Sequence, residues 1–310
     1  MEYRQLGNSG LQVSTIGLGT NNFGIRVDAA QTALIVNHAL DVGINMIDTA
    51  NSYGKGLSEE YIGKALKGKR DQAVLATKVS SRMNEGPNNA GNSRRHIIAE
   101  VEASLRRLDT DYIDLYQIHW WDSNTPLEET LRTLDDLVSQ GKIRYAGSSN
   151  FSAWHACEAA WTAQSLGVTS LVSTQPRYSM MDRVVENELV PFCQKYGVGI
   201  LPYYPLENGF LTGKYRRNED APAGTRLAAN DRGMFTDKNF DVLDGLIAFA
   251  EARDHTVLDL AFSWLLANKA VSSVIAGATK IEQVITNSKA AAWDLTTEEV
   301  DEVNGILGAN

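Results

Sequence analysis

The sequence contains few cysteines and few prolines: among 310 residues there are two cysteines, Cys157 and Cys193, and seven prolines. Two distant cysteines match no metal-ligand or redox spacing, and disulfide frameworks are typical of much shorter secreted chains. A reducing compartment is therefore the simpler expectation. The polar N-terminal stretch MEYRQLGNSG also lacks the apolar core of a signal peptide. We accordingly expect a cytoplasmic protein.

Long apolar runs and an excess of positive charge are also missing. No stretch approaches the roughly 20 apolar residues that are needed to span a bilayer. Lys plus Arg number 29 against 38 Asp plus Glu, which gives a net charge of −9. A chain this acidic repels nucleic-acid phosphates and anionic lipids. We therefore expect neither a nucleic acid nor a membrane as a partner.

What the sequence does contain is a regular alternation of short apolar runs with helical patterns. A hairpin is predicted over 3–13, and eight runs follow that are short enough for buried parallel strands. They lie at 14–19, 45–49, 73–79, 112–118, 143–148, 169–175, 198–204 and 272–277. Eight such strands predict one α/β domain over 1–310, a (β/α)8 TIM barrel with an N-terminal β-hairpin. A doubly wound open sheet is the competing architecture, but Gly17, Gly19 and Gly24 do not have the spacing of its glycine fingerprint.

Capping signals mark the starts of several helices between these strands. The helical patterns cover 29–42, 93–108, 125–140, 239–253 and 296–307. Asp28, Ser93 and Thr296 are predicted N-caps of three of them. Thr125 is predicted to open a fourth helix as part of a capping box, with Pro126 at the first helical position.

The connection over 206–238 is much longer than most loops in compact domains. In a barrel it follows the seventh strand at the carboxyl face, where active sites form, so it is predicted to be a lid or a binding loop. It contains six Lys or Arg and five Asp or Glu residues. The loop as a whole is therefore not predicted to be electropositive.

Polar side chains occur at or just after the ends of three consecutive predicted strands. Asp48 ends the second strand and Tyr53 follows it, Lys78 lies near the end of the third, and His119 follows the fourth. Each residue alone has an ordinary structural explanation. Asp48 could cap a turn, and the Lys78 ammonium could reach water. His119 could be a hydrogen-bonded structural histidine, and Tyr53 could serve only in packing. Because the carboxyl ends of barrel strands meet at one rim, we expect all four to converge there, as catalytic residues do.

Eight segments carry a resemblance to the aldo-keto reductase family. They are GLGTNNFG (17–24), NMIDTANSYG (45–54), ATK (76–78), QIHW (117–120), GKIRYAGSSNF (141–151), Gln175-Pro176, YYPLENGFLTGKY (203–215) and VIAGATKIEQVITN (274–287). In this order they span essentially the whole chain, which resembles a bacterial-type member outside the aldose reductase branch. The resemblance implies NADPH/NADP+ as cofactor, with NADH possible, and a small carbonyl compound or alcohol as substrate.

Carried over to matching positions, the family's catalytic tetrad is Asp48, Tyr53, Lys78 and His119. Hydride transfer to a carbonyl generates an alkoxide, and Tyr53 is expected to supply the proton that neutralises it. The ordinary pKa of a phenol is about 10. Lys78 is expected to lower that pKa, Asp48 to hold Lys78, and His119 to orient the carbonyl oxygen.

The resemblance also implies a set of cofactor contacts. Ser149, Asn150 and Gln175 match the positions that bind the nicotinamide carboxamide, and Tyr203 matches the aromatic residue that stacks on the ring. A helix cap before Ser152 is the structural alternative for Ser149 and Asn150. The remaining predicted cofactor contacts are Gly19, Thr20, Asn21, Asp48, Pro205, Leu206, Asn208, Lys214, Gly277, Thr279, Lys280, Gln283 and Asn287.

The adenosine end departs from the aldose-type pattern. Gly277-Ala278 and Gln283 stand where that branch has Lys-Ser and Arg, so a strict NADPH preference does not follow from these positions. Lys280, Arg216 or Arg217 are the candidates for supplying the charge that a 2′-phosphate needs. A solvated run of charge is the alternative explanation for 214–217.

The predicted substrate contacts are the aromatic and polar residues around the catalytic rim: Phe23, Tyr53, His119, Trp120 and Trp121. Aromatic walls favour carbonyl compounds with an apolar or sugar face. Hydrogen bonds from Asn21 and Asn51 are also expected.

Two other classes of function remain in view. Ion-channel β subunits share the implied fold, tetrad and cofactor site, so a cofactor-binding regulatory protein with little turnover is the alternative. A metal-dependent barrel enzyme needs clustered His and carboxylate ligands, but of five histidines only His119 lies at a predicted strand end. No metal is expected. The sequence thus predicts an NADPH-preferring carbonyl reductase, and it specifies no oligomeric state.

Overall fold

Eight parallel strands form the centre of the protein in a computed structural model that describes residues 1–308. A short antiparallel hairpin precedes them, made of β1 (Tyr3–Gln5) and β2 (Gln12–Ser14). The barrel strands are β3 (Ile16–Gly19), β4 (Met46–Asp48), β5 (Val74–Val79), β6 (Ile113–Ile118), β7 (Ile143–Ser149), β8 (Leu171–Gln175), β9 (Gly199–Ile200) and β10 (Val274–Gly277). The strand order is β10-β3-β4-β5-β6-β7-β8-β9.

Two isolated parallel bridges join the ends of this order. They pair Ile200 with Val271 and Tyr203 with Ile275, so the chain around β9 bonds to the chain around β10. The sheet thereby closes on itself, and the predicted (β/α)8 TIM barrel with its N-terminal hairpin is confirmed. The predicted strand over 198–204 is shorter in the structure, because regular pairing ends at Ile200 and continues only as a bridge at Tyr203.

The helices pack around the outside of the barrel. They are α1 (Ala29–Asp41), α2 (Leu57–Ala65), α3 (Arg94–Leu108), α4 (Leu127–Ser139), α5 (Ala153–Leu166), α6 (Leu189–Tyr196), α7 (Arg226–Ala229), α8 (Asp237–Glu251), α9 (Val257–Ala267), α10 (Ile281–Ala290) and α11 (Thr297–Leu307). The side chains of Asp28, Ser93 and Thr296 accept hydrogen bonds from the third residues of their helices, which confirms these predicted N-caps.

The predicted capping box at Thr125 is wrong. The helix begins at Leu127, Pro126 occupies the N-cap position, and no side chain caps the first turn. Thr125 Oγ1 instead donates to Asp122 Oδ2 at 2.7 Å. The reason is local competition, since a threonine hydroxyl that finds a nearby carboxylate is not available to the helix terminus.

The amino-terminal end of the barrel is closed by the hairpin and filled with apolar side chains. Leu6 and Val13 of the hairpin segment are fully buried. They belong to a cluster that also contains Met46, Val74, Ala76, Leu115, Leu201 and Ile275. Gly7, at a φ of 56°, lies so close to the barrel that a Cβ there would approach Val172 O to 2.4 Å. Only glycine fits this position, which lets the hairpin seat tightly against the strands.

The long connection over 206–238 is partly ordered into short helical pieces. A 3₁₀ segment covers Glu207–Thr212, and α7 lies further along. Phe210 and Leu227 anchor it in the core, each 1% exposed or less. Arg217 forms ion pairs with Asp237, Asp241 and Asp244 at 3.1, 2.5 and 3.3 Å. The connection is therefore fastened to α8 on its outer side.

Candidate active site

A buried ion pair lies where β4 and β5 end. Lys78 Nζ donates to both carboxylate oxygens of Asp48, at 2.8 and 2.7 Å, and to Thr49 O at 2.8 Å. These three bonds use all three donors of the ammonium group. Because the Lys78 side chain is 0% exposed, it does not extend to water, and that structural alternative is excluded. The amides of Gln117 and Gln175 also donate to Asp48 Oδ1, at 3.2 and 2.8 Å.

Tyr53 reaches this pair from the loop after β4. It opens a 3₁₀ turn, Tyr53–Gly56, and its hydroxyl lies 3.5 Å from Lys78 Nζ. The ring of Tyr53 meets that of His119 edge to face, with 6.1 Å between the centroids. The structure therefore brings Asp48, Tyr53, Lys78 and His119 together at one rim of the barrel.

The environment keeps the acidic proton on Tyr53 and the charge on Lys78. Burial raises the pKa of Tyr53 above its ordinary value, and Lys78 lowers it by a smaller amount. The prediction that Lys78 brings this pKa below its ordinary value is therefore wrong as a net effect, although the cation acts in the expected direction. For Lys78, burial lowers the pKa, but Asp48 and Tyr53 together raise it by more, so the pKa of Lys78 rises.

His119 is held as a neutral ring beside the phenol. Burial and, to a smaller extent, the charge of Lys78 lower the pKa of His119 to about 3. Its backbone N–H donates to Val79 O at 2.8 Å, and its carbonyl accepts from Asn150 Nδ2 at 3.0 Å. The ring stacks on Trp120 with 5.5 Å between centroids. Its Nδ1 is buried and has no hydrogen-bond partner among the described residues.

A cavity of about 850 Å³ opens above this group, within the size range of small-molecule and cofactor sites. Lys78 lies beneath its floor, whereas most of the predicted residues line it. These are Gly19, Thr20, Asn21, Asp48, Tyr53, His119, Trp120, Ser149, Asn150, Gln175, Tyr203, Pro205, Leu206, Asn208, Lys214, Gly277, Thr279, Lys280 and Gln283. One cavity thus collects residues from positions 19 to 283 of the chain.

Some predicted contacts are not brought to the cavity. Phe23 is fully buried in the core, and Asn287 is buried in α10 away from the lining. Trp121 stacks on His155 at 4.1 Å and packs against Trp154, on the outer side of the rim. Asn51 is also turned away and binds Glu100. A polar or aromatic residue beside a strand end can face the helix layer and find its hydrogen-bonding or packing partners there. The sequence alone does not show whether such a residue faces the helices or the cavity.

At one end of the cavity, hydrogen bonds connect four of the predicted residues. Ser149 Oγ donates to Gln175 O at 2.7 Å, and the Tyr203 hydroxyl donates to Asn150 Oδ1 at 2.8 Å. The N-cap of α5 is Ser152, whose side chain accepts from His155 N. Ser149 and Asn150 therefore do not serve as that helix cap, and they present amide and hydroxyl groups to the cavity.

The walls of the cavity are positively charged although the protein is acidic. Four cations line it, Arg26, Lys214, Arg226 and Lys280, against one acid, Asp48, among the described residues. None of the four cations forms an ion pair within residues 1–308. Two of these cations, Lys214 and Arg226, come from the long connection.

Arg226 was not among the predicted contacts. It lies in α7 and reaches toward Asn208 Oδ1 and Asn22 Oδ1, at 3.4 and 3.5 Å, so it links the long connection to the loop after β3. Arg216 and Arg217, which were candidates for binding a phosphate, are not part of the lining. The position of Arg226 in the long loop was visible in the sequence, but its orientation depends on how that loop folds.

Among residues 1–308, no group of three or more His, Cys, Asp or Glu side chains is arranged to hold a metal ion. Within that same part of the chain, no helix combines the length and the apolar character that crossing a membrane requires.

Comparison with known proteins gives matches along nearly the whole chain. The sequence profile of the aldo/keto reductase family matches residues 15–307. "Aldo-keto reductase YhdN" of Bacillus subtilis is 37% identical, covering 99% of this chain and 94% of its own length. "L-glyceraldehyde 3-phosphate reductase" of Escherichia coli O157:H7 is 34% identical over 98% of this chain and 92% of its own length. A "Probable voltage-gated potassium channel subunit beta" of Oryza sativa subsp. japonica is 35% identical, over 99% and 97%.

Proposed function

This chain belongs to the aldo/keto reductase family, and we propose that it is an NADPH-preferring reductase that converts aldehydes and ketones to alcohols, reversibly. Relatives named as a reductase of L-glyceraldehyde 3-phosphate and as an aldo-keto reductase support oxidoreduction as the reaction class. The observation that carries the proposal is the Tyr53 hydroxyl 3.5 Å from the Lys78 ammonium, beneath a cavity large enough for a cofactor and a substrate.

The residues of the cavity fit a phosphorylated nicotinamide dinucleotide. Ser149, Asn150 and Gln175 offer the hydroxyl and amide groups that can satisfy both the donor and the acceptor of a carboxamide. The four cations without acidic partners suit a pyrophosphate and a further phosphate. In addition, α10 begins beside Lys280 with no side chain capping its first turn, so the backbone N–H groups of Ile281 and Glu282 can meet an anion there.

The chemistry divides between a hydride and a proton. A reduced nicotinamide, when bound, supplies the hydride that adds to the carbonyl carbon. Tyr53 gives its hydroxyl proton to the carbonyl oxygen as negative charge develops there, so that the products are an alcohol and a phenolate. Lys78 stabilises that phenolate by its charge, and Asp48 keeps the ammonium in place. The phenolate regains its proton from solvent before the next turnover.

His119 acts as a neutral hydrogen-bond donor in this scheme. Nδ1 is buried without a partner in either tautomer, and only a proton on Nε2 gives the ring a donor that is not buried, so we assign the proton to Nε2. A ring that stays neutral across physiological pH can orient the carbonyl oxygen without competing with Tyr53 as the acid. Trp120, which stacks on this ring and is 51% exposed, is placed to contact the substrate.

The test is the Tyr53→Phe variant, which removes the hydroxyl and keeps the ring. We expect carbonyl reduction to fall by roughly 10²–10⁴-fold, the usual contribution of a positioned general acid. NADPH affinity should stay within about twofold of the parent, because the phenol makes no contribution to the phosphate contacts. Turnover is measured from nicotinamide absorbance with a panel of aldehydes, ketones and sugars. Undiminished turnover in Tyr53→Phe would remove Tyr53 from the role of proton donor.

A regulatory function is the second candidate, favoured by the 35% identity to the rice potassium-channel β subunit. The same assay separates the two. A parent protein that binds NADPH tightly and turns over no carbonyl compound in the panel supports the regulatory function and contradicts the catalytic one.

A further inference from the structure

A second buried group of charges lies behind the barrel wall, on the helix side of the site. Glu59 of α2 and Glu100 of α3 are 0% and 6% exposed, and Arg107 of α3 lies between them. Arg107 Nε donates to Glu59 Oε2 at 2.6 Å, and its Nη2 lies 3.7 Å from Glu100 Oε2. We call these three residues the outer ion cluster. The catalytic scheme above does not use it.

The turn that carries Tyr53 is conformationally unusual. Gly54, Lys55 and Gly56 have φ values of 57°, 56° and 96°, all in the left-handed region. Lys55 adopts this conformation without the freedom of a glycine, which costs energy. Three such residues in succession do not form a self-supporting helix. The position of the Tyr53 hydroxyl therefore depends in part on contacts from outside the turn.

The outer ion cluster holds the chain before this turn. Asn51, two residues ahead of Tyr53, is fully buried. Its Nδ2 donates to Glu100 Oε2 at 2.9 Å, and its backbone N–H donates to Lys78 O at 3.3 Å. Glu100 therefore fixes the segment that connects Asp48 to Tyr53 through one hydrogen bond to the side chain of Asn51, whose backbone N–H is bonded to the Lys78 strand.

The cluster also holds the chain after the turn. Glu59 lies in the first turn of α2, and its second carboxylate oxygen accepts from Thr77 Oγ1 at 2.5 Å. Thr77 is the neighbour of Lys78 on β5 and points to the opposite side of the strand. Gly56 lies against Arg107, since a Cβ there would come within 2.8 Å of Arg107 Cδ. The cluster thus ties both ends of the Tyr53 turn to the strand that carries the ammonium.

We propose that Glu100 and Arg107 are positioning residues, which fix the Tyr53 hydroxyl against the Lys78 ammonium by anchoring the turn on both sides. The inference rests on the proposed function for its kinetic consequences but not for its structural ones. Neither residue lines the cavity, so neither is expected to contact cofactor or substrate. Their loss should therefore affect the proton-transfer step and leave binding unchanged.

The experiment compares Glu100→Ala with Glu100→Gln and with a matched control. Glu100→Ala removes the acceptor for Asn51, whereas Glu100→Gln keeps an oxygen that can accept the same bond. The control is Asp114→Ala, which removes a partly buried carboxylate that binds a different arginine, Arg70, at 2.7 Å. Asp114 is the second residue of β6, at the amino-terminal end of the barrel, so its loss is expected to destabilise the fold without affecting the Tyr53 turn.

For Glu100→Ala we expect kcat to fall by roughly tenfold to a hundredfold, the effect of a displacement of ~1 Å in a catalytic group. KM for the carbonyl and the dissociation constant of NADPH should be unchanged, and Glu100→Gln should restore most of the kcat. Asp114→Ala should lower the thermal midpoint of unfolding and leave kcat as in the parent. If Asp114→Ala lowers kcat as much as Glu100→Ala does, or if Glu100→Ala has the parent's kcat, the positioning role is wrong.

A second measurement does not depend on turnover. With ¹³Cζ-labelled tyrosine, the resonance of Tyr53 is identified by its absence in Tyr53→Phe. We expect its chemical shift at pH 8 to change in Glu100→Ala and not in Asp114→Ala. Even a parent without reductase activity can be tested in this way, so failure of the proposed function and failure of the positioning role give different results. An unchanged Tyr53 resonance in Glu100→Ala contradicts the positioning role.

Discussion

The two ends of the barrel are built from the same strands and have opposite chemistry. Along β5 the inward side chains are Val74, Ala76 and then Lys78, so that the strand is apolar at its start and charged at its end. β4 repeats the change from Met46 to Asp48. The apolar end is closed by the hairpin, and the polar end opens to the cavity. On each of these two strands, therefore, a step of two residues separates a side chain that stabilises the fold from one that is proposed to carry out the reaction.

This comparison suggests that changes at the open end alter turnover, changes at the closed end alter stability, and changes to the buried ion pair alter both. The largest effect is expected for Lys78→Met. It removes the cation that stabilises the phenolate, and it leaves Asp48 buried without its partner. An uncompensated buried charge costs about 3–5 kcal/mol of unfolding free energy. We also expect turnover to fall at least ~10²-fold, as measured by nicotinamide absorbance, with stability followed by urea unfolding.

A double variant serves as the control for that prediction. Asp48→Asn combined with Lys78→Met removes both charges and keeps the shape of the site. We expect it to recover most of the lost stability and none of the turnover. If the double variant were as unstable as Lys78→Met, the loss would come from packing and not from the unpaired carboxylate.

At the closed end, Leu6→Ala should destabilise the protein by roughly 2–5 kcal/mol, the usual cost of truncating a fully buried leucine. Turnover of the folded protein should equal that of the parent, because Leu6 has no contact with the cavity. Leu34→Ala is the matched control, since Leu34 is 52% exposed and its loss should change stability by less than about 0.5 kcal/mol. Reduced kcat in folded Leu6→Ala would show that the two ends are not independent.

His119, at the open end, makes the free energy of unfolding depend on pH. In the unfolded chain its pKa is about 6.5, whereas in the folded protein the pKa is about 3. Between these values the unfolded chain binds a proton that the folded protein does not, so stability falls as the pH falls from 6.5 toward 3. This group contributes roughly 1.4 kcal/mol per pH unit in that window. Urea unfolding of His119→Gln should show a shallower acid slope than the parent, and equal slopes would contradict the assignment.

The smallest effect is expected for Lys280→Ala at the rim of the cavity. Lys280 is exposed, so its contact with a 2′-phosphate is weakened by solvent. We expect NADPH to bind roughly fivefold more weakly, a change of about 1 kcal/mol, with NADH affinity unchanged. Lys269→Ala, an exposed lysine outside the cavity, is the control. Equal losses for NADPH and NADH would remove Lys280 from the proposed phosphate contact, as would equal affinities of the parent for both cofactors.

The sequence predicted those parts of the molecule that depend on local pattern. The eight strands, three helix caps and the convergence of Asp48, Tyr53, Lys78 and His119 follow from periodicity, capping residues and the geometry of a parallel barrel. The sequence did not predict which way a side chain beside a strand end would face. Trp121 turned to the helix layer and Arg226 to the cavity, because each orientation is decided by neighbours that are distant in the chain.

The net change in the pKa of Tyr53 could likewise not be predicted from the sequence. The presence of Lys78 nearby could be inferred, and so could the direction in which it acts on the phenol. How far each group is shielded from water could not be inferred, and burial is the larger contribution to the pKa of Tyr53. Thr125 illustrates the same limit at a helix start, where one carboxylate three residues upstream replaced the expected cap.

The pairing of β3 with β10 has a consequence for how the protein is made. Val274 of β10 pairs with Ile16 of β3, so nearly the whole chain separates the two partners. During synthesis at ~5–20 residues per second, the first barrel strand waits on the order of tens of seconds for its last neighbour. Throughout that interval one side of β3 has unpaired backbone groups and is open to pairing with other chains. We therefore expect the nascent protein to be most prone to aggregation before the ribosome has released the segment that completes the ring.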